Sequence, residues 1–199
     1  MKKILLVGGC GFIGHNLSLY LKKQGHYPVV VDSLAVNNIY SLDNLEIKNQ
    51  KLYKSILENR VLLLKKNKID LIIQDARNYD TISKLYAKIN PEIIIHLAAV
   101  SHANRSNKDP HTTFDHSLRT LENTLDYAKS FKTHVIYISS SMVYGNFEGK
   151  DVDEKTECKP IGIYGTLKYA GELILKSYNQ VFDLPYTIIR PSALYGERC

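Results

Sequence analysis

Residues 3–14 read KILLVGGCGFIG: a short apolar run, Lys3 to Val7, passes directly into glycines at 8, 9, 11 and 14. A second apolar run, Pro28 to Asp32, ends on an acid 18 residues after Gly14. Nearly continuous β-branched and leucine runs of this length are the mark of strands buried on both faces, as parallel strands are. Glycines at the end of such a strand permit a tight turn, close approach of the backbone to a bound group, and close packing of the helix that follows.

The same alternation continues outward from this stretch. Further strands are expected at Leu71 to Gln74, Ile93 to Leu97, His134 to Ser139 and Tyr186 to Ile189. Helices are expected at Phe12 to Gln24, Thr81 to Ile89, Thr113 to Ser130 and Tyr164 to Val181, with Thr112 as the N-cap of the third. Between the second and third strands, Leu42, Leu45, Ile56, Leu57, Val61 and Leu64 recur at near-helical spacing, which predicts helix within 35–68. Six strands alternating with helices predict an α/β fold: a Rossmann doubly wound parallel sheet, strand order 3-2-1-4-5-6, with helices on both faces. At 199 residues the chain has room for one such core and not for two full domains, so residues 1–199 are expected to form a single dinucleotide-binding domain.

The glycine turn and the helix it opens supply unpaired N–H groups and the positive end of a helix dipole, which suit a pyrophosphate. Asp32, ending the next strand, can accept hydrogen bonds from ribose hydroxyls and would repel a 2'-phosphate, so NAD is expected over NADP. The candidate cofactor-binding residues of this half are Gly8, Gly11, Phe12, Ile13, Gly14, Asp32 and Ser33.

Further motifs follow in order: Asp75-Ala76, His96-Leu97-Ala98-Ala99, the run Ser139 to Gly145 (SSSMVYG), Tyr164-Gly-Thr-Leu-Lys168, and Arg190 to Gly196 (RPSALYG). Together with the glycine turn and Asp32, they make the chain resemble the extended short-chain dehydrogenase/reductases, the NAD-dependent epimerase/dehydratase family. The resemblance runs over essentially the whole chain. It implies cofactor contacts from Asp75, Ala76, Leu97, Ala98, Ala99, Tyr164, Lys168 and Pro191, and a catalytic set of Ser140, Tyr164 and Lys168, with Ser141 in reserve for Ser140. Tyr164 and Lys168, four apart, share a helix face, and a nearby cation favours the phenolate of a tyrosine whose ordinary pKa is about 10. Other residues of these motifs read more simply. Tyr144 and Tyr195 are expected to pack, His96 to be a satisfied core histidine, and Cys10 to occupy a variable loop position.

Family members that dehydrate a hexose carry an Asp-Glu pair where this chain has Ser141 and Met142. Methionine cannot transfer a proton, so dehydration is disfavoured, and decarboxylation with it. The expected activity is NAD-dependent epimerisation of a nucleotide sugar at C4. The alternatives are a simple NAD-dependent dehydrogenase or reductase of the same family, and a nucleotide-binding module without turnover. Three departures from the family pattern stand out: Phe114 to Ser117 (FDHS) where an Asn is usual, Ala193 in place of a substrate-binding Asn, and a chain that stops at Cys199, ahead of the family's substrate-binding region. The 199 residues are therefore expected to hold NAD with little or no turnover of their own.

Composition narrows the remaining classes. Charged residues are 23% and apolar residues 44%, ordinary for a globular protein. The net charge of +6 comes from scattered lysines and not from a basic tract, so no nucleic-acid partner is expected. No apolar run reaches the roughly 20 residues of a membrane span. Ile4 to Val7 is also too short for the apolar core of a leader. Cys10, Cys158 and Cys199 show no metal-type spacing and fit a reducing compartment, the cytoplasm. The expected partner is a nucleotide-sugar substrate, with a homodimer through helices 113–130 and 164–181 implied by the resemblance.

Overall fold

Every one of the six expected strands is present in the computed structural model, which describes residues 1–36, 38–42, 49–101, 103–147, 149 and 151–199. They are β1 (Lys3–Val7), β2 (Tyr27–Asp32), β3 (Asp70–Ile73), β4 (Ile93–His96), β5 (His134–Ile138) and β6 (Tyr186–Ile189), in the sheet order β3-β2-β1-β4-β5-β6. This is the Rossmann order. The helices between them are α1 (Phe12–Lys23), α2 (Gln50–Lys66), α3 (Tyr79–Ile89), α4 (Ala103–Lys108), α5 (Pro110–Phe114), α6 (Thr120–Phe131) and α7 (Gly162–Phe182). The chain divides into two compact units, Met1–Ala98 with Tyr195–Cys199, and Ala99–Leu194.

In the first unit, parallel pairing sets Leu5 beside both Val29 and Ile94, and Val30 beside Leu71. Leu5, Leu6, Val30, Val31 and Ile94 are wholly buried, as are Leu57 and Leu64 of α2 and Ile82 and Tyr86 of α3. Each such side chain contributes about 1.5–3 kcal/mol through its removal from water. Helix α2 bears out the weak periodicity of 35–68, and Leu42 is buried ahead of it, while Leu45 lies outside the described residues.

In the second unit β5 pairs β6 in parallel, Val135 beside Tyr186 through Ile138 beside Ile189. Leu121 and Leu125 of α6, Val135 and Tyr137 of β5, and Leu175 of α7 form its core. Two glycines bring α7 close to the chain around β5. A Cβ on Gly165 would stand 2.7 Å from the Met142 carbonyl oxygen, and one on Gly171 would strike the Tyr137 ring.

The expected helix 113–130 is present within a continuous helical run of 110–131, in which α5 and α6 are joined by a wider π turn, Asp115–Arg119. Its cap is not Thr112. Asp109 accepts a hydrogen bond from the Thr112 N–H at 3.0 Å, and Pro110, which lacks a donor, occupies the first helical position. Helix α4 was not anticipated from the sequence. Its Asn107 accepts a hydrogen bond from the Ile163 N–H at 3.1 Å and so caps α7, whose own preceding residue, Ile161, has no capping side chain.

Candidate active site

The cofactor candidates of the first unit gather at the carboxyl ends of β1 to β4. The Gly8 N–H donates to the Val31 carbonyl at 2.8 Å and the Leu97 N–H to Val7 at 2.8 Å, extending the ladder into the loops. Gly8 has φ of +76°, and a Cβ there would meet the Ala98 backbone at 2.7 Å. Gly14 lies against Gly9, whose backbone a Cβ would meet at 2.5 Å. Gly9, absent from the expected set, is thus as constrained as its neighbours. Gly11 differs: among the described residues its Cβ would find only the Gly8 carbonyl oxygen, at 3.6 Å. It is the N-cap of α1, where no side chain caps the helix and no acid sits in the first turn. An uncapped helix start beside open space fits a pyrophosphate.

Asp32 is half-buried and held from two sides, accepting from the Cys10 N–H at 2.9 Å and the Leu34 N–H at 2.8 Å. Burial pushes its pKa up, and the Leu34 and Cys10 N–H groups and the Arg60 charge oppose that rise. Each oxygen keeps lone-pair capacity for a ribose hydroxyl, so the carboxyl both braces the glycine loop and fits the sugar. Ser33 beside it accepts from the Ala35 N–H at 3.3 Å. Asp75 is gripped by Arg77, whose guanidinium reaches it at 2.6 and 3.1 Å, and Ala76 is buried. The Cys10 thiol is buried and pushed up to about 12, chiefly by that burial, which makes it inert at neutral pH.

Beneath the loop lies a set that the sequence reading missed. Arg198 donates from Nε to His15 Nε2 at 3.0 Å, so the His15 proton resides on Nδ1, 3.0 Å from the Gly11 carbonyl. Arg60, buried in α2, forks onto the Arg198 carbonyl at 2.7 and 3.0 Å. Tyr195, expected to pack, is instead 94% exposed.

The second unit brings together Ser140, Tyr164 and Lys168. Ser140 follows β5 and caps a short turn, Ser141–Tyr144, by accepting from the Met142 N–H at 3.2 Å. Burial raises the Tyr164 pKa, and the nearby Ser140 hydroxyl opposes that rise. Lys168 is buried, with Nζ donating to the Ile138 carbonyl at 2.7 Å and standing 6.0 Å from the Tyr164 ring centre. Desolvation lowers its pKa to about 8. The Pro191 carbonyl accepts from the Ser141 N–H at 2.9 Å, while Ala99 is half-buried. Ser141 and Met142 are the residues after Ser140, so no carboxylate follows it in sequence. Tyr144 packs as expected, beside Arg190.

The fold agrees with comparison to known proteins. A family model described as the NAD dependent epimerase/dehydratase family matches residues 4–198, and the chain belongs to that family. It is 34% identical over 196 residues to Protein CapI of Staphylococcus aureus, a match covering 98% of this chain and 54% of that protein. The UDP-glucuronic acid 4-epimerase from Bacillus cereus, solved in complex with UDP-glucuronic acid and NAD, is similar at a TM-score of 0.79 and 28% identity. That match covers 94% of this chain and 55% of the other. The UDP-glucose 4-epimerase from Brucella ovis, in complex with NAD, is similar at a TM-score of 0.78 and 26% identity, covering 96% and 51%. The chain thus spans about half the length of the relatives it matches.

Proposed function

We propose that residues 1–199 form the NAD-binding domain, with the catalytic residues, of a nucleotide-sugar 4-epimerase. The observation that carries this reading is Tyr164 set beside a buried Lys168, whose Nζ stands 6.0 Å from its ring centre, with the Ser140 hydroxyl near enough to act on the phenol. A serine hydroxyl and a phenol near one another can both engage a single substrate oxygen, and a phenol needs a cation nearby to act as a base near neutral pH. Bound NAD would supply the acceptor for a hydride leaving the sugar carbon and the donor for its return.

The remaining work falls to this chain's own side chains. Tyr164 takes the proton of the C4 hydroxyl as the C4 hydrogen leaves as hydride, which turns the substrate into a C4 ketone. Ser140 donates a hydrogen bond to the same oxygen in the ketone. Hydride return to the opposite face, with Tyr164 giving its proton back, yields the C4 epimer and leaves no net oxidation. Lys168 favours the phenolate by its charge and would donate to a ribose hydroxyl of the cofactor, as the family resemblance implies. Gly8, Gly11, Phe12, Ile13 and Gly14 would hold the pyrophosphate, Asp32 and Ser33 the adenosine ribose, and Asp75 and Ala76 the adenine. Leu97, Ala98, Ala99 and Pro191 would line the cofactor. Met142 and Ser141, which hold no ionisable acid, support epimerisation over loss of water.

The test is incubation of the protein, as its source expresses it, with NAD and either UDP-glucuronate or UDP-glucose carrying deuterium at C4. The expected result is the C4 epimer with deuterium retained. A dehydrated product, or net reduction of NAD with an oxidised sugar, would replace this reading with another.

A further inference from the structure

Glu172 is wholly buried on α7, four residues after Lys168 and eight after Tyr164, yet it belongs to none of the roles above. It accepts from the Ser139 hydroxyl at 2.5 Å. Arg190, at the end of β6, forks onto both its oxygens, Nε to Oε1 at 2.9 Å and Nη2 to Oε2 at 2.6 Å. The remaining arm of Arg190 donates to the Tyr144 hydroxyl at 2.9 Å, and the guanidinium carbon stands 5.0 Å from the centre of that ring. Burying a carboxylate is costly unless it is paired and hydrogen-bonded, and here both oxygens are.

The placement of these bonds is what matters. Helix α7 grips the end of β5 at two consecutive residues, Ile138 through Lys168 and Ser139 through Glu172. On the far side the Ser139 N–H donates to the Ile189 carbonyl at 2.8 Å and the Ser141 N–H to Pro191 at 2.9 Å. The turn that follows is held at its other end through Tyr144 and Arg190. Ser140 sits in the middle of this clamp, and its hydroxyl acts on the Tyr164 phenol. We propose that Glu172, neutralised by Arg190, is a positioning residue that fixes the register of α7 against the end of β5 and thereby sets Ser140 and Lys168 relative to Tyr164. This rests on the reading of Tyr164 as the base.

The ionisable groups around Glu172 come from four directions: Lys168 on its own helix, Tyr137 of β5, Arg190 after β6, and Cys158 of the intervening loop, which feels the Glu172 and Arg190 charges. A looser clamp weakens the influence of both groups that favour the Tyr164 phenolate, the Ser140 hydroxyl and the Lys168 charge. The expected signature is therefore in the titration of Tyr164.

The experiment is an ultraviolet difference titration of tyrosinate in the NAD-loaded 199-residue protein, with the Tyr164→Phe variant subtracted to isolate one phenol. It is run on the wild type, on Glu172→Gln, and on Ser139→Ala. The last removes a single bond of the clamp and keeps the buried ion pair, so it folds even where Glu172→Gln does not. In Glu172→Gln the Tyr164 pKa should rise by about one unit, close to tenfold less phenolate at a given pH, with a smaller rise in Ser139→Ala. NAD affinity should stay within about threefold. An unmoved Tyr164 in every folded variant, whatever the loss of thermal stability, overturns the proposal and leaves Glu172 a purely structural ion pair. Epimerisation retained by Tyr164→Phe, in the protein as its source expresses it, instead defeats the assignment of Tyr164 as base, and the two failures are read from different proteins.

Discussion

Lys168→Met replaces a buried ammonium by an apolar side chain of similar reach, and its effect on stability should depend on pH in a way that tests the burial directly. Desolvation lowers the Lys168 pKa from 10.5 to about 8. At about 1.4 kcal/mol per unit, a shift of that size corresponds to roughly 3 kcal/mol of differential interaction between the charged and neutral forms. Below pH 8 the lysine is charged in both the folded and the unfolded chain, and the folded state carries the whole penalty. Between pH 8 and 10.5 the unfolded chain binds the proton and the folded chain does not, so stability rises with pH; above 10.5 the penalty is gone. The variant has no such group, and the titrations of groups that do not neighbour Lys168 are common to the two proteins and cancel in the comparison. Urea unfolding of both, followed by circular dichroism from pH 7 to pH 10.5, should show the wild type gaining about 3 kcal/mol relative to Lys168→Met. A difference that stays flat would refute the reasoning, since it would mean that the hydrogen bond to the Ile138 carbonyl compensates the ammonium fully. A difference that falls as pH rises would mean that an anion pairs with it.

The two kinds of glycine in the first loop should separate cleanly. Gly14→Ala, whose Cβ would lie 2.5 Å from Gly9 backbone atoms, should lose about 3 kcal/mol in denaturant unfolding, whereas Gly11→Ala should stay within about 1 kcal/mol and lose at least about tenfold in NAD affinity by calorimetry; unchanged affinity would remove Gly11 from the pyrophosphate site. NAD should bind more tightly than NADP because of Asp32, and Asp32→Asn should narrow that gap; equal affinities in the wild type would undo the assignment of Asp32. Tyr164→Phe should abolish epimerisation while leaving NAD affinity nearly unchanged, and retained turnover would take Tyr164 out of its role.

What could be read from the sequence follows from how each feature is encoded. A parallel strand buried on both faces must be apolar throughout, so the central strands β1, β2 and β4 appear as continuous runs, and the glycine turn appears because its backbone leaves no space for a Cβ at Gly8, Gly9 or Gly14. The π turn between α5 and α6 was hidden, since it adds a residue to the spiral without altering which residue types it uses; the Asp109-Pro110 pair that starts α5 is the visible signal of the helix start, ahead of Thr112. Tyr164, Lys168 and Ser140 were legible because their chemistry requires those residue types. Glu172 was not, because an acid on a helix ordinarily reads as a solvated one. Its partners Ser139 and Arg190 lie 33 and 18 residues away, at the ends of other strands. The one local clue is that Glu172 interrupts the run Tyr169 to Leu175, otherwise apolar and glycine, at four residues beyond Lys168. That spacing has a consequence for the whole site. Residues four apart share a helix face, so one face of α7 carries the phenol, the ammonium and the carboxylate in succession, and a single register of α7 against β5 settles all three.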